Sequence, residues 1–251
     1  MILFILLCII QYYICNGYNE TISLQCVKLS QYSYCNSSCE NCLIEYIVEH
    51  DSSKAIQGYD YISNCIFTAF RGSSNIHNWI ENIQIYHISP YYNTSLLVEE
   101  GFYKEYSFIK SEIFQNLQIL SNKYNTNNLL ITGHSAGASS STLMAYDVVN
   151  MYHYNVLYFY NFGSPRVGND FFVYDFNTKI KGFRIVHNND IVPTVPPTLF
   201  NYYHISQGIC YDKNNYMYEL CYNENPKIRD LSSSDHLYYL NISMGGSYCN
   251  E

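Results

Sequence analysis

The chain has 251 residues, 48% of them hydrophobic, with a formal charge of -8 and only 13 Lys and Arg. That length and apolar content suffice for one sizeable domain with a continuous core, and no linker, repeat or low-complexity segment divides it. The acidic balance leaves no basic patch for a phosphate backbone, so nucleic acid is excluded as a partner.

Residues Ile2 to Ile10 are apolar and are followed by the small-residue run Cys15, Asn16, Gly17, which predicts a secretory signal peptide over 1–17. The apolar stretch is short for a transmembrane helix, although the missing Lys or Arg before it leaves a membrane anchor as the alternative. Cleavage would remove Cys8 and Cys15 from the ten cysteines and leave eight, an even number that favours disulfides over metal sites in an oxidising compartment. Glycosylation sequons at Asn19, Asn36, Asn93 and Asn241 fit the same extracellular route.

Residues 18–251 then read as one α/β domain. Thr21 is placed to cap a helix in which Ile22, Cys26, Leu29 and Tyr32 recur at helical spacing. In the cluster Cys35, Cys39, Cys42, a zinc site would need further ligands, and none follows before His50, so disulfides are the expectation. Three β-rich pieces follow at 44–50, 55–62 and 64–70, as adjacent antiparallel strands. Next come Arg71, Gly72, Ser73 and Ser74, then a short amphipathic helix over 75–83. Its apolar stripe is Ile76, Trp79, Ile80 and Ile83, with polar residues on the other faces. Such a helix is either a fixed surface helix or a mobile lid. Tyr106, Ile109, Ile113, Leu117 and Leu120 mark a long helix over 102–124.

The run 129–132 predicts a buried strand, and Gly133, Ser135 and Gly137 after it give G-x-S-x-G. This spacing suits a strained strand-to-helix turn in which the backbone approaches so closely that side chains two before and two after the serine must be absent. The motif alone also fits an ordinary βα turn. A helix over 139–150, a strand at 156–162, the turn 163–169, a helix over 170–179 and a strand at 183–186 complete an alternation that implies parallel strands with right-handed crossovers. A β segment near 202–205, a hairpin over 210–221 and a last helix opened by Ser234, Asp235 and His236 end the chain.

A serine hydroxyl needs a base, and the base an orienting carboxylate, in the chain order Ser, Asp or Glu, His. Asp190 follows a predicted parallel strand, where catalytic groups collect. Asp147, Asp170 and Asp175 read as solvated helix positions. His236 on its Ser-rich loop is the candidate base, His204 a core histidine, and the His134 side chain is expected to point away from Ser135.

Several ordered stretches now resemble one family, the fungal-type class 3 lipases, which also include feruloyl esterases. They are Tyr32 to Cys35 (YSYC), Phe70 to Ser74 (FRGSS), Gly133 to Gly137 (GHSAG), Gly163 to Gly168 (GSPRVG), Asn189 to Pro193 (NDIVP) and Asp235 to Tyr239 (DHLYY). The resemblance implies an α/β-hydrolase-type mixed sheet, mostly parallel, flanked by helices, with a short helical lid bearing Ile76, Trp79, Ile80 and Ile83. It implies Ser135 as nucleophile, His236 as base and Asp190 as its orienter, and an oxyanion hole from Ser73 and the Ala136 N–H. With the spacing, it also implies disulfides Cys35 to Cys249, Cys39 to Cys42 and Cys210 to Cys221. Cys26 and Cys65 are left over, as buried thiols or as a further pair.

Two departures stand out. Ala136 and Ala138 replace the usual Leu and Gly, and Val98-Glu99-Glu100-Gly101-Phe102 replaces a usual Val-His-x-Gly-Phe. The expected function is a secreted serine ester hydrolase acting on acylglycerols at a lipid–water interface, with no cofactor, metal or obligate protein partner. The alternatives are an esterase for soluble or aromatic esters and an inactive, glycosylated lipase-like binding protein. The apolar stripe favours lipid, and the complete set of catalytic residue types argues against inactivity.

Overall fold

Strand-forming runs with both faces apolar need cover on both sides, and helices supply it here. The computed structural model describes residues 17–35, 39–221 and 230–249. The apolar part of the predicted signal peptide and the sequon at Asn36 lie outside the described residues, whereas Asn19, Asn93 and Asn241 are exposed.

Eight strands form one mixed sheet: β1 (Cys42–His50), β2 (Ser53–Asp60), β3 (Cys65–Phe70), β4 (Asn128–His134), β5 (Asn155–Phe162), β6 (Phe183–His187), β7 (Gln207–Tyr211) and β8 (Met217–Cys221), adjacent in that order. β1 to β3 run antiparallel, β3 to β7 run parallel, and β8 returns antiparallel. Among the described residues five α-helices accompany the sheet: α1 (Glu20–Tyr32), α2 (Ile76–Asn82), α3 (Glu100–Tyr124), α4 (Ala136–Asp147) and α5 (Asp170–Lys179).

The period of two in a strand sends alternate residues to opposite faces. Leu129 and Ile131 of β4 join Ile66 and Phe70 in the core beneath α3, α4 and α5. Leu130 joins Phe67 and Phe162 in a second core beneath α1, with Ile22, Cys26 and Leu29. A strand buried on both sides therefore reads as an unbroken apolar run.

The boundaries shift in places for visible reasons. The cap of α1 is Asn19, whose side chain accepts from the Ile22 N–H at 3.1 Å, so Thr21 lies inside the helix rather than before it. Asp147, expected in solvent, is fully buried; it accepts from the Tyr106 hydroxyl at 2.8 Å and pairs with the Lys110 ammonium at 2.6 Å. Instead of a β segment at 202–205 there is a single bridge between Tyr203 and Gly168. The expected last helix is only a 3-10 turn, Asp235–Leu237. Leu240 and Asn241 then turn the chain back with positive φ, and a two-residue ribbon follows.

Cys35 is bonded to Cys249 and Cys39 to Cys42, while Cys26 and Cys65 are free thiols in the core. Cys210 is also disulfide-bonded, and the side chain of Cys221 lies outside the described ones.

Candidate active site

Two loops at the carboxyl ends of parallel strands, the place where open α/β sheets gather their chemistry, converge with the segment after residue 230. The first is the turn after β4. Ser135 at its apex has φ 61° and ψ -132°, a conformation an L-residue adopts only under constraint. The constraint is the crossing of backbones: a Cβ on Gly133 would lie 2.3 Å from the Gly137 carbonyl oxygen, and one on Gly137 would lie 2.4 Å from the Phe70 carbonyl oxygen. The Ser135 N–H is spent on the Phe162 carbonyl at 3.0 Å, and Ala136 opens α4, where N–H groups have no intrahelical acceptor.

The second loop follows β6 and carries Asp190, and the segment after residue 230 carries His236 on its 3-10 turn. The two are laced together: the Asp235 carboxylate accepts from the Asn188 side chain at 2.8 Å and the Asn189 N–H at 3.2 Å, and the Ser232 N–H donates to the Asn189 carbonyl at 2.8 Å. As a result His236 Nδ1 stands 2.9 Å from each carboxylate oxygen of Asp190. That carboxylate also accepts from the Val192 N–H at 2.8 Å and from the Tyr239 hydroxyl. Gly163 forms the floor. With φ 55°, a Cβ there would lie 2.7 Å from Asp190 Oδ2 and 2.7 Å from His236 Nδ1, so any side chain would force the pair apart.

Ser135 Oγ and His236 Nε2 are both buried, without a hydrogen bond, and their residues line one cavity of ≈ 330 Å³ together with Tyr34, Ser73, Ile76 and Leu237. A base held by a carboxylate on one nitrogen, with its other nitrogen free beside a serine, can take the serine proton. Such bonds often tighten only around a substrate.

The residues foreseen in sequence do not all stand as expected. The Ser73 hydroxyl donates to the Asn75 carbonyl at 3.1 Å and accepts from the Asn75 N–H at 3.2 Å, so it is engaged with the entry of α2. In the stripe of α2, Ile76 is buried and lines the cavity of Ser135. Trp79 lies parallel to Phe102, with ring centroids 5.8 Å apart and planes at 11°. Ile83 packs on the core, and Ile80 is half-buried. His204 donates to or accepts nothing from the loops of Ser135; its Nε2 lies 2.8 Å from the Pro193 carbonyl.

His134 has a place that the sequence reading did not foresee: its ring lies against that of His236, centroids 4.4 Å apart. One proton arrangement satisfies its neighbours. The Gly72 N–H donates to the Tyr34 hydroxyl (3.0 Å), that hydroxyl donates to His134 Nδ1 (2.7 Å), and the His134 Nε2–H donates to the His236 carbonyl (2.8 Å). Burial, reinforced by His236, holds His134 well below the usual imidazole range and so keeps it neutral. The only signal in sequence was the aromatic ring of Tyr34 in the YSYC stretch, a hundred residues away.

The family model described as "Lipase (class 3)" matches residues 67–200. Among curated relatives, the secreted mono- and diacylglycerol lipase A of Penicillium cyclopium is 31% identical over 147 residues, 59% of this chain and 48% of that protein. The chain thus spans about half the length of the curated relatives it matches. Among solved structures, the triacylglyceride lipase of Rhizomucor miehei superimposes with a TM-score of 0.82 at 25% identity, covering 92% of this chain and 98% of that one. A triacylglycerol lipase whose catalytic centre is formed by a serine protease triad gives 0.81 at 25% identity, covering 90% of this chain and 96% of that one.

Proposed function

The chain belongs to the class 3 lipase family, and on that premise we propose that it is a secreted serine ester hydrolase cleaving acylglycerols through an acyl-enzyme. The observation that carries the reading is the buried Asp190–His236 pair facing the cavity of Ser135. In this account His236 Nε2 takes the Ser135 proton as Oγ adds to the ester carbonyl, and Asp190 stabilises the imidazolium that forms. The same proton then goes to the departing glycerol oxygen, and water, activated in turn by His236, releases the fatty acid. The negative oxygen of each tetrahedral intermediate is met by the Ala136 N–H and by Ser73.

α2 acts as the lid. Its support is that Ile76 stands in the cavity of Ser135 and that Asn75, the cap of α2, holds the Ser73 hydroxyl. Opening would expose the stripe to lipid and free that hydroxyl in one movement. Secretion is supported by the names of the relatives and by the disulfides, which persist in oxidising compartments.

The test is a rate comparison across p-nitrophenyl esters of increasing chain length, emulsified mono-, di- and triacylglycerol, and methyl ferulate. Acylglycerols should be hydrolysed fastest. Methyl ferulate in first place would favour the esterase for aromatic esters, and no turnover of any ester would favour a binding protein.

A further inference from the structure

Three segments that must act together at Ser135 come from distant parts of the chain: the turn bearing Ser73, the turn bearing Ser135 itself, and the segment bearing His236. The first two close on each other at Gly72. A Cβ there would lie 2.3 Å from the Tyr34 hydroxyl oxygen, 2.6 Å from the His134 carbonyl oxygen and 2.7 Å from the Ser135 Cβ.

One hydrogen-bonded chain runs through all three, and the direction of each proton in it is forced. The His236 carbonyl can only accept, so His134 Nε2 carries the proton of that bond and Nδ1 of the neutral ring is left as an acceptor. The Tyr34 hydroxyl spends its single proton on that Nδ1 at 2.7 Å, and its oxygen then accepts from the Gly72 N–H at 3.0 Å. Burial pushes the Tyr34 phenol up and the His134 imidazole down, which keeps both neutral, as the chain requires.

Each end of the chain bears on the site. At one end the Arg71 N–H donates to the Lys54 carbonyl at 2.9 Å and the Gly72 N–H to Tyr34, whereas the next residue, Ser73, is engaged with Asn75 at the entry of α2. Tyr34 thus grips the turn one residue before the candidate oxyanion donor. At the other end Asp190 holds the His236 ring while His134 holds the main chain of the same residue. Tyr34 is itself anchored by its neighbour Cys35, which is bonded to Cys249.

We propose that Tyr34 and His134 are positioning residues for the hydrolysis: the chain from the Gly72 N–H through Tyr34 and His134 to the His236 carbonyl sets the oxyanion turn in register with the base. The proposal rests on the ester-hydrolase reading and deepens it, because both residues act through others. A donor displaced from the place where the oxyanion forms loses its effect in the transition state and not in the bound ester. The consequence therefore belongs in kcat.

The test is a double-mutant cycle on the full chain with soluble p-nitrophenyl butyrate: Tyr34→Phe, which keeps the ring and removes the hydroxyl, His134→Leu, and both together. Tyr34→Phe should lower kcat roughly ten- to a hundredfold with KM near that of the parent. A trifluoromethyl ketone inhibitor, whose adduct with Ser135 carries the oxyanion, should bind more weakly by the same factor. The double variant should be within about twofold of the worse single one, because the chain acts as a unit. His134→Asn, whose amide oxygen can accept from Tyr34 in place of Nδ1, should recover part of the loss seen in His134→Leu. A loss confined to KM, an unmoved ketone affinity or fully additive losses would overturn the positioning role, provided thermal melts show each variant folded. Nitrogen-15 NMR of the histidine-labelled parent reads the chain without turnover: His134 should be the neutral Nε2–H tautomer, and the Nδ1–H tautomer would overturn the chain itself. A parent that cleaved no ester would sink the hydrolase reading. One that did, with Tyr34→Phe its equal, would sink this proposal alone.

Discussion

His236 presents Nδ1 to both oxygens of Asp190 at 2.9 Å, in a pair closed off from solvent, with Gly163 as the one residue small enough to lie beneath it. Removing either partner leaves the other buried and unpaired, which costs orientation as well as charge. Ser135→Ala, Asp190→Ala and His236→Ala should each lower ester hydrolysis by roughly a thousandfold or more, with little further loss in combination, because the three act as one unit. His204→Ala, whose imidazole reaches only the Pro193 carbonyl, should keep most activity. Steady-state kinetics decide it: activity retained in His236→Ala and lost in His204→Ala would put the base in the wrong place.

The buried titratable groups make opposing demands on pH. Burial holds His134 and His204 well below the usual imidazole range, the latter helped by Arg184 and Arg166. Below about pH 6.5 the unfolded chain therefore takes up protons that the folded chain refuses, and stability falls as pH drops. Glu99 has the opposite sign. Its folded value is raised to about 7, so the stability it contributes is full below about pH 4.3 and lost as pH rises to about 7. The melting temperature of Glu99→Gln, minus that of the parent, should rise between pH 5 and pH 8. His204→Gln should show a shallower loss of melting temperature from pH 7 to pH 5. Parallel curves for parent and variants would contradict both assignments.

Cys35 and Cys249 are 214 residues apart, and Cys39 and Cys42 only 3. In the chain-entropy model the long closure restricts the unfolded chain most, so the Cys35→Ser, Cys249→Ser double variant should lose about 5 kcal/mol. The short loop should contribute about 1 to 2 kcal/mol on the same model. Denaturant melts that ranked the two bridges the other way would show that the short loop holds the cysteine-rich turn by some means other than entropy.

The proposal that α2 is a lid makes a kinetic prediction. Trp79 is stacked on Phe102, and Ile76 lies in the cavity of Ser135, so in water the stripe is held by burial. At an oil surface the same apolar area gains a second place to go, and the balance shifts. Specific activity on a short-chain ester should rise as the ester passes its solubility limit, and Trp79→Ala should lose that rise. Smooth saturation through the limit, with Trp79 fluorescence unchanged by micelles, would make α2 a fixed surface helix.

What the sequence could and could not reveal follows from the range of each interaction. The serine turn was legible because its demand for Gly133 and Gly137 is local, and the parallel core strands were legible because burial on both faces leaves an unbroken apolar run. Asp190 could be placed by the strand before it, and His236 by its motif and its Ser-rich loop. Contacts between distant segments could not be read. Nothing near Asp147 announces Tyr106 and Lys110 across the helix pair, and the bond that joins His134 to Tyr34 spans a hundred residues. The last helix failed for a different reason: its polar opening resembles a cap, but Asp235 spends its carboxylate on Asn188 and Asn189 and the chain turns back at Leu240.

The most direct measurement is covalent labelling with a p-nitrophenyl alkylphosphonate, followed by mass spectrometry of the digested protein. The account predicts one equivalent of phosphonate on the peptide bearing Ser135, loss of ester hydrolysis in proportion to labelling, and no label on Ser135→Ala. Stoichiometric label on another residue, or full labelling with activity intact, would contradict it.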